Sequence, residues 1–185
     1  TYDGSGHDFY ETYRDPLNHK TMFSGQVLDV NTGNYGQAYN VVTFTNNIYN
    51  IYNLIEEEDG LAGIEERSVI DGIAIEDGLA NGTESNEKGG GAARVTAFAH
   101  VRNCIIQNNQ ASLYGGGLYL EPGALVSGSI LLNNEAELGG GIYVEEPDAD
   151  TKSALTTERG DAFARVYNTT VVRNHSSVRG GGLWY

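Results

Sequence analysis

The sequence predicts an all-β chain that folds as a parallel β-helix, a solenoid of about four to five coils with long loop insertions. A glycine triplet recurs at residues 89–91, 115–117, 139–141 and 180–182, and a spacing in the twenties is typical of solenoid repeats. Short aliphatic or β-branched runs that end in Asn precede the triplets, which favours buried strands followed by tight turns. Leucine-rich repeats share this period, but they need a helical segment in each unit, and no window of ten residues has the helix period.

The repeat unit is clearest in residues 101–120, VRNCIIQNNQASLYGGGLYL. A shift of 65 residues superposes it on residues 166–185, and a shift of 25 brings Val126, Leu131 and Asn134 onto the same positions. A weaker copy begins near Val69, with its triplet at 89 aligned on the triplet at 115. The length of the apolar runs indicates two or three strands in each unit.

Three asparagines, Asn109, Asn134 and Asn174, occupy one position of the repeat. Strands of successive coils lie about 4.8 Å apart, so equivalent residues stack, and we expect a ladder of side-chain amides bonded from coil to coil. Asn also tolerates the left-handed backbone that a sharp corner requires. The glycine triplets supply positive φ and room for close backbone approach. The asparagines and the triplets are therefore interpreted as structural.

The length of 185 residues predicts a single domain, residues 1–185. Within it, the pattern indicates an irregular leading segment at 1–18, irregular coils at 19–98, and regular repeats at 99–185 with an insertion at 145–163. Further insertions are expected at 56–66 and 76–88. The chain stops within a strand, at Leu183-Trp184-Tyr185, and an open coil would expose unpaired backbone groups. The expectation is a fragment of a longer protein, or a chain whose end is covered by another chain.

The net charge of −14 and the pI of about 4.5 limit the partners. They argue against nucleic acid, whose phosphates need a basic surface, and against anionic lipid surfaces. They suit an extracellular protein, and they favour cations or neutral glycans over polyanionic substrates. Cys104 is the single cysteine, which excludes an intrachain disulfide. No segment is long and apolar enough to insert directly into a membrane.

The repeat motif resembles a known family. An N-C-x-I-x-x-N strand and turn at 103–109 is followed by Ala111 and then by Gly-Gly-Gly-Leu/Ile-Tyr, and upstream segments at 15–16, 21–25, 39–42 and 69–72 occur in the matching order. These features resemble the secreted, pectate-lyase-like right-handed parallel β-helix proteins of Bacteroidetes, and are similar to the repeats of the chlamydial polymorphic outer-membrane proteins. The resemblance implies a right-handed coil and a location outside the cell or at an outer-membrane-associated surface. The fold class includes lyases, glycoside hydrolases, adhesins and tailspikes, so fold alone does not decide activity.

An aromatic column is the first candidate site. After three of the triplets, an aliphatic residue is followed by an aromatic one, and strand alternation sends the two to opposite faces. If the aliphatic residues face the core, the aromatic ones form an exposed stack whose flat faces and polar edges suit sugar rings. The predicted ligand-binding residues are Tyr119, Tyr143 and Trp184.

Other constellations are less specific. Asp148 and Asp150 have a spacing that suits Ca²⁺, although no glycine-anchored EF-hand pattern follows them, and no cofactor is required. A lyase would need a basic residue near a cation; the candidates are Arg102 and Arg173, with His100 and His175 nearby, but no motif joins them. A glycosidase would need two carboxylates, and the strand-borne acidic pair is Asp71 with Asp77.

The function expected from these observations is a secreted or cell-surface binding and adhesion scaffold, which presents a rigid surface to a glycan or to a partner protein. A polysaccharide lyase or glycoside hydrolase is the first alternative, and a structural subunit or fragment of a surface assembly is the second. An enzyme should show Arg or Lys clustered with carboxylates along one sheet, whereas a binding scaffold should show the aromatic column or a flat face without them.

Overall fold

The computed structural model describes residues 10–14, 21–29, 34–37, 42–43, 68–83, 87–159 and 162–185 of the chain. The insertion expected at 56–66 lies outside the described residues. The described part is almost entirely β-structure, and its strands form four sheets in which all pairing is parallel except that of two N-terminal strands. The prediction of a right-handed parallel β-helix is confirmed.

Each complete coil contains four short strands, one more than the upper number that the sequence indicates. The first coil is made of β5 (Ser68–Asp71), β6 (Ile73–Glu76), β7 (Leu79–Ala80) and β8 (Ala93–Val95). The second is made of β9 (Ala99–Arg102), β10 (Ile105–Gln107), β11 (Gln110–Ala111) and β12 (Leu118–Leu120). The third is made of β13 (Leu125–Ser127), β14 (Ile130–Leu132), β15 (Glu135–Leu138) and β16 (Ile142–Val144). The fourth is made of β17 (Arg165–Tyr167), β18 (Thr170–Val172), β19 (His175–Arg179) and β20 (Leu183–Trp184).

Corresponding strands of successive coils form the four sheets, which we number in their order along a coil. The first sheet joins β5, β9, β13 and β17; the second joins β6, β10, β14 and β18; the third joins β7, β11, β15 and β19; and the fourth joins β8, β12, β16 and β20. The regular pairing therefore begins at Ser68, earlier than the sequence pattern indicates. The coil count of four to five agrees with these four coils and a partial one before them.

The partial coil is built from N-terminal strands. These are β1 (Tyr10–Arg14), β2 (Thr21–Asp29), β3 (Asn34–Gln37) and β4 (Val42–Thr43). Strand β2 extends the second sheet by parallel pairing with β6, and β4 extends the fourth sheet by pairing with β8. Both β1 and β3 pair with β2 in the antiparallel sense. Strand β1 lies on the side of β2 away from β6, so it covers that edge of the second sheet.

The core is a set of aliphatic columns inside the coils. In the second sheet, Ile75, Ile106, Leu131 and Val171 are direct partners from coil to coil. The first three of these are fully buried. Each strand contributes one or two inward residues because it is only two to five residues long and its side chains alternate between faces. The core is therefore narrow, and its continuity along the axis depends on the register.

The left-handed backbone conformation at the corners occurs one residue before the asparagines for which it was predicted. Positive φ occurs at Asn108, Asn133 and Arg173, the residues immediately before the three ladder asparagines. The glycine register also differs by one in the first coil. Leu118 pairs with Ala93, which aligns Gly90, and not Gly89, with Gly115, and both of these have positive φ. The alignment of the weaker copy was wrong by one residue.

The insertion at 145–163 contains one helix, α1 (Ala149–Arg159). No helix was predicted from the sequence. The prediction is correct for the repeats but not for the insertion, because α1 lies between β16 and β17, outside the coil strands. Leu155 packs with Ala97, Phe98 and Ala162 in a small cluster separate from the main core, so the helix contacts the turn between β8 and β9. Within the described residues, no helix has the length and apolar composition needed to cross a membrane.

Candidate functional site

The three residues of the predicted aromatic column are aligned with one another on the fourth sheet. Tyr119 pairs with Tyr143, and Tyr143 pairs with Trp184. The neighbouring Leu118 and Ile142 are fully buried in the core. Since side chains alternate between the faces of a strand, the three aromatic residues point outward. We call this outer surface of the fourth sheet the aromatic face.

The stack is not uniformly exposed. Only 7% of Tyr119 is accessible, because the Arg94 guanidinium lies 4.1 Å from the centre of its ring. Tyr143 and Trp184 are half-buried, and the guanidinium of Arg179 lies 5.4 Å from the Trp184 ring. The expectation of an exposed column therefore fails at Tyr119, and the accessible rings are at the end of the column nearer the last coil.

Tyr114 adds a fourth ring that the sequence pattern did not identify. Its ring centre is 4.6 Å from that of Tyr143 and 6.1 Å from that of Tyr119. The rings of Tyr119 and Tyr143 are stacked at 5.1 Å. A Cβ on Gly89 would come within 2.8 Å of the Tyr119 ring, so glycine at that position makes room for the cluster. Three half-buried rings, those of Tyr114, Tyr143 and Trp184, remain partly accessible.

A charged group borders the rings. The Arg94 Nε donates to Glu121 Oε1 at 2.7 Å, and Arg94 Nη2 lies 4.0 Å from Glu145 Oε2. Tyr119 also makes a side-chain hydrogen bond with Glu145. Burial, together with the nearby Glu121 charge, raises the pKa of Glu145 even though Arg94 opposes the rise. Burial also raises the pKa of the Tyr119 and Tyr143 hydroxyls, and the Glu145 charge adds to both shifts.

The sequence pattern did not connect Arg94, Glu121 or Glu145 with the aromatic residues, although the two glutamates carried a signal. Each glutamate directly follows an aligned strand, in Leu-Tyr-Leu-Glu and in Ile-Tyr-Val-Glu. Because Leu120 pairs with Val144, the following residues occupy equivalent places on neighbouring coils. The identical offset from Tyr119 and Tyr143 would have shown that a carboxylate follows each of these two rings.

The asparagine ladder is a continuous line of buried hydrogen bonds. Asn109 Nδ2 donates to Asn134 Oδ1 at 2.9 Å, and Asn134 Nδ2 donates to Asn174 Oδ1 at 2.9 Å. The same oxygens also accept from the backbone N–H of the preceding coil, at 3.0 and 2.9 Å. The side chains of Asn109 and Asn134 are fully buried. This arrangement satisfies backbone groups at a corner where no strand pairing reaches them, which is a structural role.

Asp148 and Asp150 lie at the start of α1. The Asp148 Oδ1 accepts a hydrogen bond from the Thr151 N–H at 2.7 Å, which is the contact that an N-cap residue makes. That bond lowers the pKa of the Asp148 carboxyl. Asp150 lies in the first helical turn, where a negative charge is favourable. Among the described residues, no group of three or more His, Cys, Asp or Glu side chains is placed to hold a metal ion.

The lyase candidates do not assemble in one place. Arg102 lies on β9 and forms an exposed ion pair with Asp71 at 3.0 Å. His100, on the same strand, is buried, and its Nε2 lies 2.7 Å from Ser127 Oγ. Arg173 occupies a left-handed corner, and His175 begins β19 on the third sheet. The two acidic residues of the glycosidase candidate are also apart. Asp71 ends β5 and pairs with Arg102, whereas Asp77 follows β6 at the corner position of Asn108, so the whole of β6 lies between them.

The chain was compared with protein-family models, with curated proteins and with solved structures, and none of these comparisons gave a match. The fold is therefore assigned from the parallel strand pairing and from the four aligned sheets.

Proposed function

We propose that the protein is an extracellular or cell-surface scaffold that binds a glycan on its aromatic face. The observation that carries the proposal is the alignment of Tyr143 with Trp184 on adjacent coils, with both rings partly accessible. Two rings held one coil apart by the backbone form a rigid platform. A sugar chain lying on it would lose little free energy to ordering of the protein.

Polar groups beside the rings add directional contacts. Glu145 borders the platform, with a partly accessible side chain, and Arg179 lies against Trp184. Carboxylate and guanidinium groups can accept from and donate to sugar hydroxyls. The net charge of −14 disfavours a polyanionic ligand. The supported ligand class is therefore a neutral glycan, and a partner protein that presents such a glycan fits the same surface.

The proposal includes the cellular location of the protein and its relationship to bacterial β-helix families. The motif at 103–117 and its resemblance to pectate-lyase-like proteins of Bacteroidetes and to chlamydial outer-membrane repeats support a bacterial surface protein. The acidic composition and the single cysteine agree with an extracellular scaffold that needs no disulfide. Isolation of the native protein from surface-exposed and intracellular fractions tests the location, and recovery only from the intracellular fraction would contradict it.

A glycan array with the wild-type chain and with Trp184→Ala tests the binding. Stacking of one aromatic side chain contributes about 1.5 kcal/mol at most beyond its buried area, so we expect affinity for the bound glycans to fall about tenfold. Tyr167→Ala is the matched control, because Tyr167 is also an exposed aromatic residue but lies on the first sheet. Equal binding by wild type and Trp184→Ala, or equal losses in both variants, would remove the aromatic face from the proposal.

Glycan cleavage is a second candidate because of the Glu121 and Glu145 pair. The two residues follow aligned strands on neighbouring coils, about 4.8 Å apart at the backbone, and retaining glycosidases hold their two carboxyls about 5–5.5 Å apart. The raised pKa of Glu145 suits a general acid, and Glu121, paired with Arg94, would be the nucleophile. New reducing ends from a bound glycan that disappear in Glu145→Gln would favour cleavage; bound glycan that stays intact would exclude it.

A further inference from the structure

The third sheet carries a groove that the aromatic face does not include. It is an open depression of about 310 Å³. Its lining comes from all four coils, through β7, β11, β15 and β19 and the residues next to them. The floor lies at Ala111 and Ala136, which are buried, and the rims carry exposed polar side chains. The groove therefore runs along the solenoid axis, across the strands.

The rims are two rows of residues in coil-to-coil register. In one row Gln110 pairs directly with Glu135. In the other row, two residues further along the strands, Ser112 and Glu137 follow the floor residues Ala111 and Ala136. Successive coils are about 4.8 Å apart, and two residues along a strand span about 7 Å. Four coils thus give a groove roughly 14 Å long between two parallel rows.

The end of the groove at the last coil is shaped by an irregularity in β19. The pairing of β15 with β19 shifts between Ala136 and Leu138, so β19 contains one extra residue there. Ser176 Oγ lies 2.5 Å from the Glu137 carbonyl oxygen and 2.7 Å from the Arg179 carbonyl oxygen, and its single hydroxyl hydrogen donates to one of them at a time, which links the bulge to β15 and to its own strand. The next residue, Ser177, lines the groove. Bulges commonly re-aim a side chain beside a site, and this one adds a hydroxyl to the lining.

The chemistry of the lining selects the ligand. It offers amides, hydroxyls and carboxylates, and none of the described residues that line it is a Lys, an Arg or an aromatic residue. Such groups exchange hydrogen bonds with ligand hydroxyls. Glu135 and Glu137 lie on one strand with both side chains exposed, and together with the net charge of −14 they repel an acidic ligand. The apolar part of the lining comes from Leu79, Ala111 and Ala136.

We propose that this groove binds a linear glycan without acidic groups, with the sugar chain parallel to the solenoid axis and about one sugar unit per coil. The spacing of the coils, close to the length of one pyranose unit, lets the second and third coils offer the same pair of polar rows to successive sugars. The first coil has Leu79 in the Gln110 row, and Asn81 and Ser177 add one polar group each at the two ends of the groove. The site is on a different sheet from the aromatic face, and it stands or falls independently of that face.

Isothermal titration with defined oligosaccharides tests the proposal. The probes are neutral β-1,4-linked glucose, xylose and mannose oligomers of two to six units, and galacturonate oligomers of equal length. We expect affinity for at least one neutral series to increase up to about four units, the number that the roughly 14 Å groove accepts, and then to level off. Binding of galacturonate oligomers alone, or of no neutral series, overturns the proposal.

Variants separate this groove from the aromatic face. Ser112→Arg places a long side chain in the groove at an exposed position. This variant is expected to lower the affinity for neutral oligosaccharides at least tenfold. Tyr167→Ala, on the first sheet and outside the groove lining, is expected to change the affinity less than threefold. Trp184→Ala should leave groove binding unchanged. If Trp184→Ala removes the binding and Ser112→Arg does not, the groove proposal fails and the aromatic-face proposal stands; the reverse result has the opposite meaning. Unchanged melting temperatures confirm that the variants are folded.

Discussion

Replacing Asn134 by Ala should destabilise the fold much more than replacing the adjacent Asn133. The Asn134 side chain accepts from the Asn109 N–H and Nδ2, and donates to the Ile106 carbonyl and to Asn174 Oδ1. Asn109 Nδ2 keeps other acceptors, the Ile75 and Gln107 carbonyls, after the substitution. The Asn109 backbone N–H loses the acceptor that the structure gives it, at a corner that is fully buried.

The size of the effect follows from those bonds. A buried donor left without a partner costs about 1–3 kcal/mol, and each further hydrogen bond contributes about 1 kcal/mol net. Losing the acceptor for one buried N–H, and the two bonds that Asn134 donates, therefore gives about 3–5 kcal/mol. For a chain of this size, 1 kcal/mol shifts the melting temperature by roughly 2–4 °C. The expected decrease is roughly 6–20 °C.

The adjacent Asn133 is the matched control. It is exposed, its φ is 55°, and its side-chain bond to Asn108 is long at 3.4 Å. Glycine adopts positive φ without strain, so Asn133→Gly should change the free energy of unfolding by less than about 0.5 kcal/mol. Urea denaturation followed by circular dichroism measures both variants. A loss below about 1 kcal/mol in Asn134→Ala, or equal losses in the two variants, would refute the structural interpretation of the ladder.

Three further predictions concern other parts of the fold. Gly116→Ala should prevent folding because its Cβ would meet the Glu135 backbone, whereas Gly181→Ala, at the same repeat position in the last coil, should fold because the nearest atom is 3.1 Å away; equal thermal stability would contradict this. The raised pKa of Glu145 means that the folded chain holds a proton that the unfolded chain has lost above about pH 4.5, so Glu145 lowers stability as pH rises through that window. The difference in melting temperature between Glu145→Gln and wild type should therefore increase in favour of the variant from pH 4 to pH 7. A difference that stays constant over this range would show that the pKa of Glu145 is not raised in the folded chain. Asp148→Asn should keep α1 resistant to limited proteolysis because Asn also caps helices, and Asp148→Ala should not; protection of wild type by Ca²⁺ that Asp148→Asn lacks would indicate a metal site instead.

The coil architecture was predictable because a solenoid converts a sequence interval into a spatial neighbour. Residues one repeat apart stack directly, so the shift of 25 residues that aligns Leu131 with Ile106 in the sequence is also their pairing in the second sheet. The repeat length read from the sequence was therefore enough to predict which residues stack, without any information about contacts between distant parts of the chain. The number of strands in a coil was harder to predict, because the third-sheet strands β7 and β11 have only two residues each and give no periodic signal.

Helix α1 was missed for a different physical reason. Its sequence, ADTKSALTTER, is mostly polar and carries one large apolar residue, Leu155. A helix is usually recognised by an apolar stripe that recurs every three or four residues, and a single contact into the cluster around Phe98 leaves no such stripe. The groove on the third sheet was also beyond sequence reasoning, because its outline depends on how far the rim side chains stand above Ala111 and Ala136.

The composition of the aromatic face was hidden by a one-residue error. Aligning the triplet at 89 with the triplet at 115 gives a step of 26, which would set Arg94 beside Leu120 and direct it to the core side. The true step of 25 pairs Arg94 with Tyr119, on the outer side, where its guanidinium covers the ring. A slip of one residue moves every side chain of a strand to the opposite face. In a parallel solenoid, therefore, the core columns and the outer columns both have to be predicted with the register exact to one residue.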